Sequence, residues 1–309
     1  MKLEGIHHVT AITADAPGNV DFYTGVLGLR MVKKSVNQDD PTVYHLFYGD
    51  EDGSPGADLT FFEYPGAALG RAGAGMVHRI VWRVGSEEAL DFWWQRLQAR
   101  GTSPRRAHGS LVFADPEGLE HELLVSASTD PPLRATSPQI PVEHALLGFD
   151  GVRAYSGDPS RSAGLLGDTL GFSGADGDGR WEVRGEQRGS FYAYDAPPPG
   201  MDPRQGAGTV HHVAFAAQPQ DEEAWRSRVA AAGARPTEVI ERFYFRSVYF
   251  REPSGVLFEI ATIGPGFAVD EEPEHLGEKL SLPPRLEGMR AQLEAALTPL
   301  PNPRAAVSS

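Results

Sequence analysis

Two histidine doublets lie about two hundred residues apart in closely similar surroundings. Residues 5–10 read GIHHVT and residues 209–214 read TVHHVA, while residues 255–260 read GVLFEI and place a carboxylate among apolar side chains. Histidine nitrogens and a carboxylate on short apolar strands are suitable ligands for a divalent metal ion. These three segments therefore indicate where the chemistry of this chain should be sought.

Strand geometry selects one histidine from each doublet. Successive side chains of a strand point to opposite faces, so only one member of each doublet can easily point into a shared interior. Aligning the doublets at the valine that follows makes His8 equivalent to His212. Glu259 lies between two apolar residues, where an unpartnered carboxylate would be costly to bury. We predict that His8, His212 and Glu259 bind one metal ion. This ligand set leaves coordination positions open, as in non-haem Fe(II) oxygenases, and it also suits Mn(II).

The composition excludes several other kinds of protein. The 309 residues include no cysteine, which excludes disulfides, zinc–thiolate sites, iron–sulfur clusters and cysteine nucleophiles. The formal net charge of −14 would repel phosphate backbones, so nucleic acid is not an expected partner. The sequence shows neither a membrane-spanning apolar run nor an apolar signal region, which predicts a cytoplasmic protein without a membrane partner.

Weak internal repeats at intervals of about seventy residues predict a modular α+β fold. Each repeat reads as a βαβββ module, and the acid-Pro-x-Gly sequences at 115–118 and 252–255 indicate strand-connecting turns. The four modules are predicted at about 5–65, 75–127, 146–197 and 208–264. Residues 1–127 and 146–264 thus hold two modules each, separated by a linker at 128–145, with a C-terminal extension and tail at 265–309. Within the extension, Pro283–Leu297 is predicted to form an amphipathic helix and Thr298–Ser309 a frayed tail.

The position of the predicted ligands decides how the modules pair. One module alone has an open sheet edge and an uncovered face, so two are needed to build a cupped half-barrel. Because the ligands lie in modules 1 and 4, these two modules must share one cup, and modules 2 and 3 form the other. In module 2, Arg79 takes the position of His212 and Glu122 that of Glu259. The second cup is therefore predicted to lack a metal, with Glu122 paired to Arg79 or facing solvent.

Together, these features resemble the vicinal oxygen chelate superfamily of glyoxalases, bleomycin-resistance proteins and extradiol dioxygenases. Within it, the chain is similar to ring-cleaving dioxygenases related to hydroquinone 1,2-dioxygenases. The segments that carry this closer resemblance are Asn37–Pro41, Tyr44–Asp50, Phe61–Glu63, Arg242–Glu259 and His275–Leu280. The resemblance supports the ligand set given above. It also implies catalytic roles for His7, His211, Arg242 and Tyr249 and a substrate-binding role for Thr10.

The expected function is that of a metal-dependent dioxygenase that inserts O₂ into a hydroquinone- or catechol-type aromatic diol. Arg242 would stabilise a phenolate, and His7 or His211 would accept a phenolic proton. His45 is interpreted as a structural residue that could border a pocket. One alternative is a glyoxalase-type lyase or isomerase, which would need a second inward carboxylate and a cationic patch for a thiol. Another is a non-enzymatic small-molecule binding or resistance protein, which would keep the cup without the ligands. Assembly into a homo-oligomer stays open.

Overall fold

The chain folds into two eight-stranded sheets, as described by a computed structural model for residues 1–174 and 179–305. Each sheet contains the strands of two βαβββ modules. Module 1 comprises β1 (Ile6–Thr13), α1 (Ala16–Val20), β2 (Arg30–Val36), β3 (Tyr44–Gly49) and β4 (Asp58–Glu63). Module 2 comprises β5 (Met76–Val84), α2 (Glu87–Ala99), β6 (Arg105–Ala107), β7 (Ser110–Ala114) and β8 (Glu120–Val125).

The second half of the chain repeats the same order of elements. In module 3, the helix is reduced to the short turns Pro159–Ser162 and Leu165–Thr169. The strands of module 3 are β9 (Phe149–Tyr155), β10 (Ser173–Gly174), β11 (Arg180–Arg184) and β12 (Gly189–Asp195). Module 4 comprises β13 (Val210–Ala217), α3 (Glu222–Ala231), β14 (Ile240–Glu241), β15 (Arg246–Arg251) and β16 (Leu257–Thr262).

Local sequence explains where these elements start and turn. Asp15 accepts a hydrogen bond from the Gly18 amide at the start of α1, and Ser86 accepts one from the Ala89 amide at the start of α2. The acid-Pro-x-Gly turn at 115–118 works similarly, since Asp115 accepts backbone hydrogen bonds from residues 117 and 119. The short polar side chains at these positions thus satisfy backbone amides that would otherwise lack partners.

The pairing of modules 1 and 4 is confirmed. One sheet has the order β14-β15-β16-β13-β1-β4-β3-β2, and the other has the order β10-β11-β12-β9-β5-β8-β7-β6. In the first sheet, β1 and β13 are antiparallel neighbours at the centre, with Val9 opposite Val213. β4 and β16 flank them in parallel. The linker region between β8 and β9 therefore joins two modules of the same sheet.

Buried hydrogen bonds join the two sheets on either side of the core. Tyr23 of module 1 donates to Asp115 of module 2 at 2.9 Å, and Tyr194 of module 3 donates to Glu252 of module 4 at 2.8 Å. Each acid is the first residue of an acid-Pro-x-Gly turn, so the same turn that reverses the chain also anchors a tyrosine from a module of the other sheet. The apolar core lies between the sheets and the helices, and Trp82, Trp93 and Trp225 are its largest fully buried side chains.

The C-terminal extension packs along the edge of module 1. The helix predicted over Pro283–Leu297 forms as a 3₁₀ segment, Pro284–Met289, followed by α4 (Arg290–Ala296). Beyond it, the Tyr44 hydroxyl donates to the Thr298 carbonyl at 2.9 Å. The predicted tail is therefore held against the body at its first residue, while its last four residues, 306–309, lie outside the described part. None of the helices described is both long and apolar enough to cross a lipid bilayer.

Candidate metal centre

The first sheet brings three potential ligands to one buried point. Glu259 Oε2 lies 2.8 Å from His212 Nε2 and 3.2 Å from His8 Nε2, and the two Nε2 atoms are 3.2 Å apart. His8 and His212 are each 3% exposed, and Glu259 is fully buried. Within residues 1–174 and 179–305, these three residues form the only group of histidine and carboxylate side chains close enough to share a metal ion.

The strand register explains this convergence. His8 lies opposite Ala214 on β13, and Ala214 in turn pairs with Glu259 on β16. His212 lies two residues before Ala214, on the same face of β13. The three side chains therefore come from three adjacent strands of a curved sheet. This adjacency brings His8 beside two residues that lie more than two hundred positions later in the chain.

The hydrogen-bond pattern around the histidines leaves their Nε2 atoms for a cation. His8 Nδ1 lies 2.9 Å from His7 Nδ1, and the backbone of Thr262 provides a second hydrogen-bond partner for His7. Burial, followed by His8, lowers the pKa of His7 to about 3, so His7 is neutral. If His7 donates its one proton to the Thr262 carbonyl, its Nδ1 accepts from His8 Nδ1, and the lone pair of His8 Nε2 faces Glu259.

The second doublet repeats this arrangement. His211 Nδ1 lies 2.8 Å from His212 Nδ1, which orients the His212 ring in the same way. Burial would raise the pKa of the Glu259 carboxyl, but the adjacent His8 and His212 hold it well below its ordinary value. Oε2 of this ionised carboxylate has no donor in regular hydrogen-bond geometry among the described residues, although both histidine Nε2 atoms lie within 3.2 Å of it. Two nitrogen lone pairs and an unpartnered carboxylate oxygen in a buried space fit a divalent cation.

Ser247 holds the other oxygen of the carboxylate. Its hydroxyl donates to Glu259 Oε1 at 2.5 Å, and both side chains are buried. This bond fixes the rotation of the carboxylate and keeps Oε2 directed at the two histidines. Sequence reasoning missed Ser247, although its position two residues before Tyr249 on a strand opposite Glu259 could have suggested it.

A cavity opens beside the three ligands. His8 and His212 form its floor, and Arg242 and Tyr249 belong to its polar lining. The apolar part of the lining consists of Val36, Phe47, Phe62, Tyr244 and Phe245. Tyr249 pairs directly with Glu259 across β15 and β16, which places its ring 5.6 Å from the His212 ring. The mixture of flat apolar walls and a few polar groups suits a small aromatic molecule.

Arg242 is held as a cation at the cavity mouth. Its guanidinium pairs with Asp39 at 3.1 Å and lies 3.4 Å from the Tyr249 hydroxyl. Burial lowers the pKa of Arg242, but Tyr249 and Asp39 outweigh that effect and raise it above its ordinary value. Desolvation, followed by the nearby Glu259, raises the pKa of Tyr249, so its hydroxyl keeps its proton at neutral pH. The cavity therefore offers a permanent positive charge and a neutral hydroxyl donor.

Three of the residues assigned to catalysis or substrate binding do not line this cavity. His7 and His211 lie behind His8 and His212, where they orient the ligand rings, and His211 is exposed on the far side. Thr10 lies on the inner side of β1, but its hydroxyl bonds the Thr60 hydroxyl at 2.8 Å beneath the cavity wall. The catalytic roles expected of His7 and His211 and the substrate contact expected of Thr10 therefore stay predictions. His45, interpreted as structural, does border the cavity.

The second cup has an arginine where the first has its ligands. Arg79 donates to Glu122 at 3.1 Å and to Glu120 at 2.8 Å, which confirms the predicted pairing of Arg79 with Glu122. Ser110 donates to Glu122 Oε1 at 2.6 Å, just as Ser247 donates to Glu259. The serine and the carboxylate thus occur in both cups, while the cation of the second cup is a guanidinium supplied by the chain itself.

Comparison with known proteins agrees with this geometry. The family model described as Glyoxalase/Bleomycin resistance protein/Dioxygenase superfamily matches residues 5–123 and 148–260. The chain belongs to this superfamily. The two matched stretches contain every strand of the four modules apart from the last residues of β8 and β16, so the superfamily assignment covers both cups. The predicted fold class is confirmed as well.

Two curated relatives in the superfamily extend over nearly the whole chain. The protein named "Putative ring-cleaving dioxygenase MhqA" of Bacillus subtilis (strain 168) is 41% identical over 97% of this chain and 100% of its own length. The chlorohydroquinone/hydroquinone 1,2-dioxygenase of Sphingobium indicum is 32% identical, over 94% of this chain and 95% of its own length. The resemblance to ring-cleaving dioxygenases expected from the residues is thereby confirmed.

A solved structure shares the complete architecture. The crystal structure of a protein titled "putative dioxygenase" from Bacillus subtilis superposes with a TM-score of 0.89 at 39% identity. It covers 97% of this chain and 98% of the crystallised chain. The arrangement of four modules in two cups therefore occurs in a solved relative.

Proposed function

We propose that this protein is a ring-cleaving dioxygenase that holds Fe(II) through His8, His212 and Glu259 and acts on an aromatic diol. The observation that carries the proposal is the convergence of two Nε2 atoms and an unpartnered carboxylate oxygen within 3.2 Å of one another beside an aromatic-walled cavity. The names of the two curated relatives support the reaction class. Mn(II) would fit the same ligands but is less commonly paired with this chemistry.

The bound metal would supply the redox chemistry that O₂ requires and would leave coordination positions open toward the cavity. The protein supplies the rest. Phe245 lies beside the His8 ring and Phe62 beside the His212 ring, where they exclude water and offer aromatic surface to a flat substrate. His7 and His211 hold the ligand rings in place, and Ser247 holds the carboxylate.

Arg242 and Tyr249 act on the oxygen atoms of the substrate. A diol that binds after giving a phenolic proton to the solvent is an anion, and the fixed guanidinium of Arg242 stabilises that charge in a poorly solvated site. The Tyr249 hydroxyl, which keeps its proton, can donate a hydrogen bond to an oxygen that gains negative charge as the ring opens. Both oxygen atoms of O₂ enter the product, and one carbon–carbon bond of the ring breaks.

The lyase alternative receives no support from the described lining of the cavity. Glyoxalase-type chemistry was expected to need a second inward carboxylate. Among the described residues that line the cavity, Asp39 is the one carboxylate, and its side chain is 73% exposed and paired with Arg242. The binding-protein alternative predicts a cup without ligands, whereas this cup brings together three side chains that could hold a metal ion.

The proposal is tested by loading the protein anaerobically with Fe(II) and measuring O₂ uptake with hydroquinone, catechol and substituted forms of each. We expect one metal equivalent per chain and stoichiometric O₂ consumption with at least one diol. His8→Ala should lose the metal and the O₂ uptake while remaining folded. His78→Ala is the matched control, because His78 holds the corresponding region of the second cup and should leave both unchanged. Metal loading without O₂ uptake for any diol would reject the proposal.

A further inference from the structure

His45 is one of the polar residues of the cavity wall that the mechanism above does not use. It lies on β3, where every other residue is buried, and it is itself partly exposed. The cavity that it lines is also bordered by His8 and His212. The exposed part of the His45 ring is therefore turned toward the space beside the metal ligands.

The His45 ring is held rigidly from three sides. Its centroid lies 3.9 Å from that of Phe47 and 4.4 Å from that of Phe62, so the imidazole is packed between two aromatic rings. Its Nε2 lies 2.9 Å from the Thr60 hydroxyl, which in turn bonds the Thr10 hydroxyl at 2.8 Å. This chain of hydrogen bonds from β3 through β4 to β1 sets the rotation of the ring.

The opposite ring nitrogen has no hydrogen-bond partner among the described residues. In the part of the chain that the structure describes, no residue hydrogen-bonds His45 Nδ1, and this atom is not among the polar atoms sealed from solvent. Nδ1 therefore reaches the cavity. Burial, followed by the charges of His8 and His212, lowers the pKa of His45 well below its ordinary value, so the ring stays neutral. A neutral imidazole with one nitrogen engaged offers the other to a ligand.

We propose that His45 is a specificity-determining residue whose Nδ1 hydrogen-bonds a hydroxyl of the substrate ring that the metal does not bind. This inference rests on the proposed function, since it takes an aromatic diol as the ligand of the cavity. A hydroxyl both donates and accepts, so the bond forms with either tautomer of the ring. Thr60 is a positioning residue, because it touches the imidazole and not the substrate. Rings that lack the second hydroxyl would leave Nδ1 desolvated without a partner, which disfavours them.

The test measures binding rather than turnover. Dissociation constants of phenol, catechol and hydroquinone are determined without O₂ on the full-length, metal-loaded protein. His45→Phe keeps an aromatic ring between Phe47 and Phe62 and removes both nitrogens. His78→Phe is the matched control in the second cup, where the His78 ring stacks on Tyr155 at 3.8 Å. Thr60→Val removes the hydrogen bond to His45 and keeps the side-chain shape.

We expect the wild-type protein to bind at least one diol more tightly than phenol. His45→Phe should reduce this preference by about tenfold, the loss of one hydrogen bond, with phenol affinity nearly unchanged. Thr60→Val should reduce it less, and His78→Phe should leave it intact. The proposal is overturned if His45→Phe weakens phenol and diol equally, if the preference is unaltered, or if the wild-type protein prefers no diol. A wild-type protein that prefers a diol but never consumes O₂ would instead reject the proposed dioxygenase function alone.

Discussion

Replacing Ser247 by alanine is the sharpest test of the metal centre, because this serine touches the carboxylate without being a ligand. The Ser247 hydroxyl donates to Glu259 Oε1 at 2.5 Å in a site where Glu259 is fully buried. Ser247→Ala removes the only side-chain hydrogen bond that the described residues give to Oε1. The carboxylate is then free to rotate, and Oε2 no longer has to point at His8 and His212.

The size of the effect follows from the charge and burial of the acceptor. A hydrogen bond to a charged group contributes about 1.5–3 kcal/mol. Loss of a residue that orients a metal ligand typically weakens metal binding about 10- to 100-fold. The two estimates agree, since a tenfold change in affinity corresponds to about 1.4 kcal/mol. We therefore expect the Fe(II) or Mn(II) dissociation constant of Ser247→Ala to rise about 10- to 100-fold.

The second cup provides a control with the same local chemistry. Ser110 donates to Glu122 Oε1 at 2.6 Å, but Arg79 is the cation at that position. Ser110→Ala should lower the free energy of unfolding and leave metal affinity unchanged. Both variants are compared with the wild-type protein by anaerobic titration against a competing chelator and by denaturant unfolding of the metal-free chains.

Equal metal affinity in all three proteins would refute the reasoning. If Ser247→Ala lost stability as Ser110→Ala does and still bound metal as tightly as the wild type, Glu259 would not be a ligand that depends on its orientation. A loss of metal affinity in both variants would show instead that the effect is a general loosening of the fold.

Two further predictions concern acid stability and the C-terminal extension. Hydrogen bonding to His78, followed by the interaction with Arg79, lowers the pKa of Glu120 from 4.5 to about 2, although burial acts in the opposite direction. Its stabilising contribution is thus present above pH 4.5 and lost as the pH falls toward about 2. Glu120→Gln should flatten the unfolding free energy of metal-free protein over that range in denaturant titrations. Lys33 is fully buried and bonds the Phe267 carbonyl and the Asp270 carboxylate. Lys33→Met should cost about 3 kcal/mol and speed proteolysis of the extension; unchanged cleavage would contradict this.

Much of the fold and the three ligand candidates follow from local sequence. The acid-Pro-x-Gly sequences contain their own turn chemistry, because Asp115 and Glu252 accept backbone hydrogen bonds within a few residues. The equivalence of His8 and His212 follows from two near-identical strands. The pairing of modules 1 and 4 follows from the requirement that histidines from both ends of the chain meet one carboxylate.

The roles of the residues around the ligands were decided by tertiary structure. Strand alternation predicts a face for each side chain but not its neighbours on other strands. The register of β1 on β13 shifts on either side of the Val9 pair, so His7 contacts His8 edge to edge rather than reaching a cavity. Similarly, Thr10 meets Thr60, and His45 borders the cavity beside His8 and His212, only because β1, β4 and β3 are adjacent.

The sequence by itself therefore determined the module order, the turns and the three residues that are proposed as metal ligands. These depend on residue type and on spacing within a few residues, where backbone geometry is nearly constant. Only the tertiary structure decided that His7 and His211 support the ligands, that Ser247 orients Glu259 and that His45 borders the cavity. Those contacts join strands that are distant in the chain, and their register depends on the summed packing of the whole sheet.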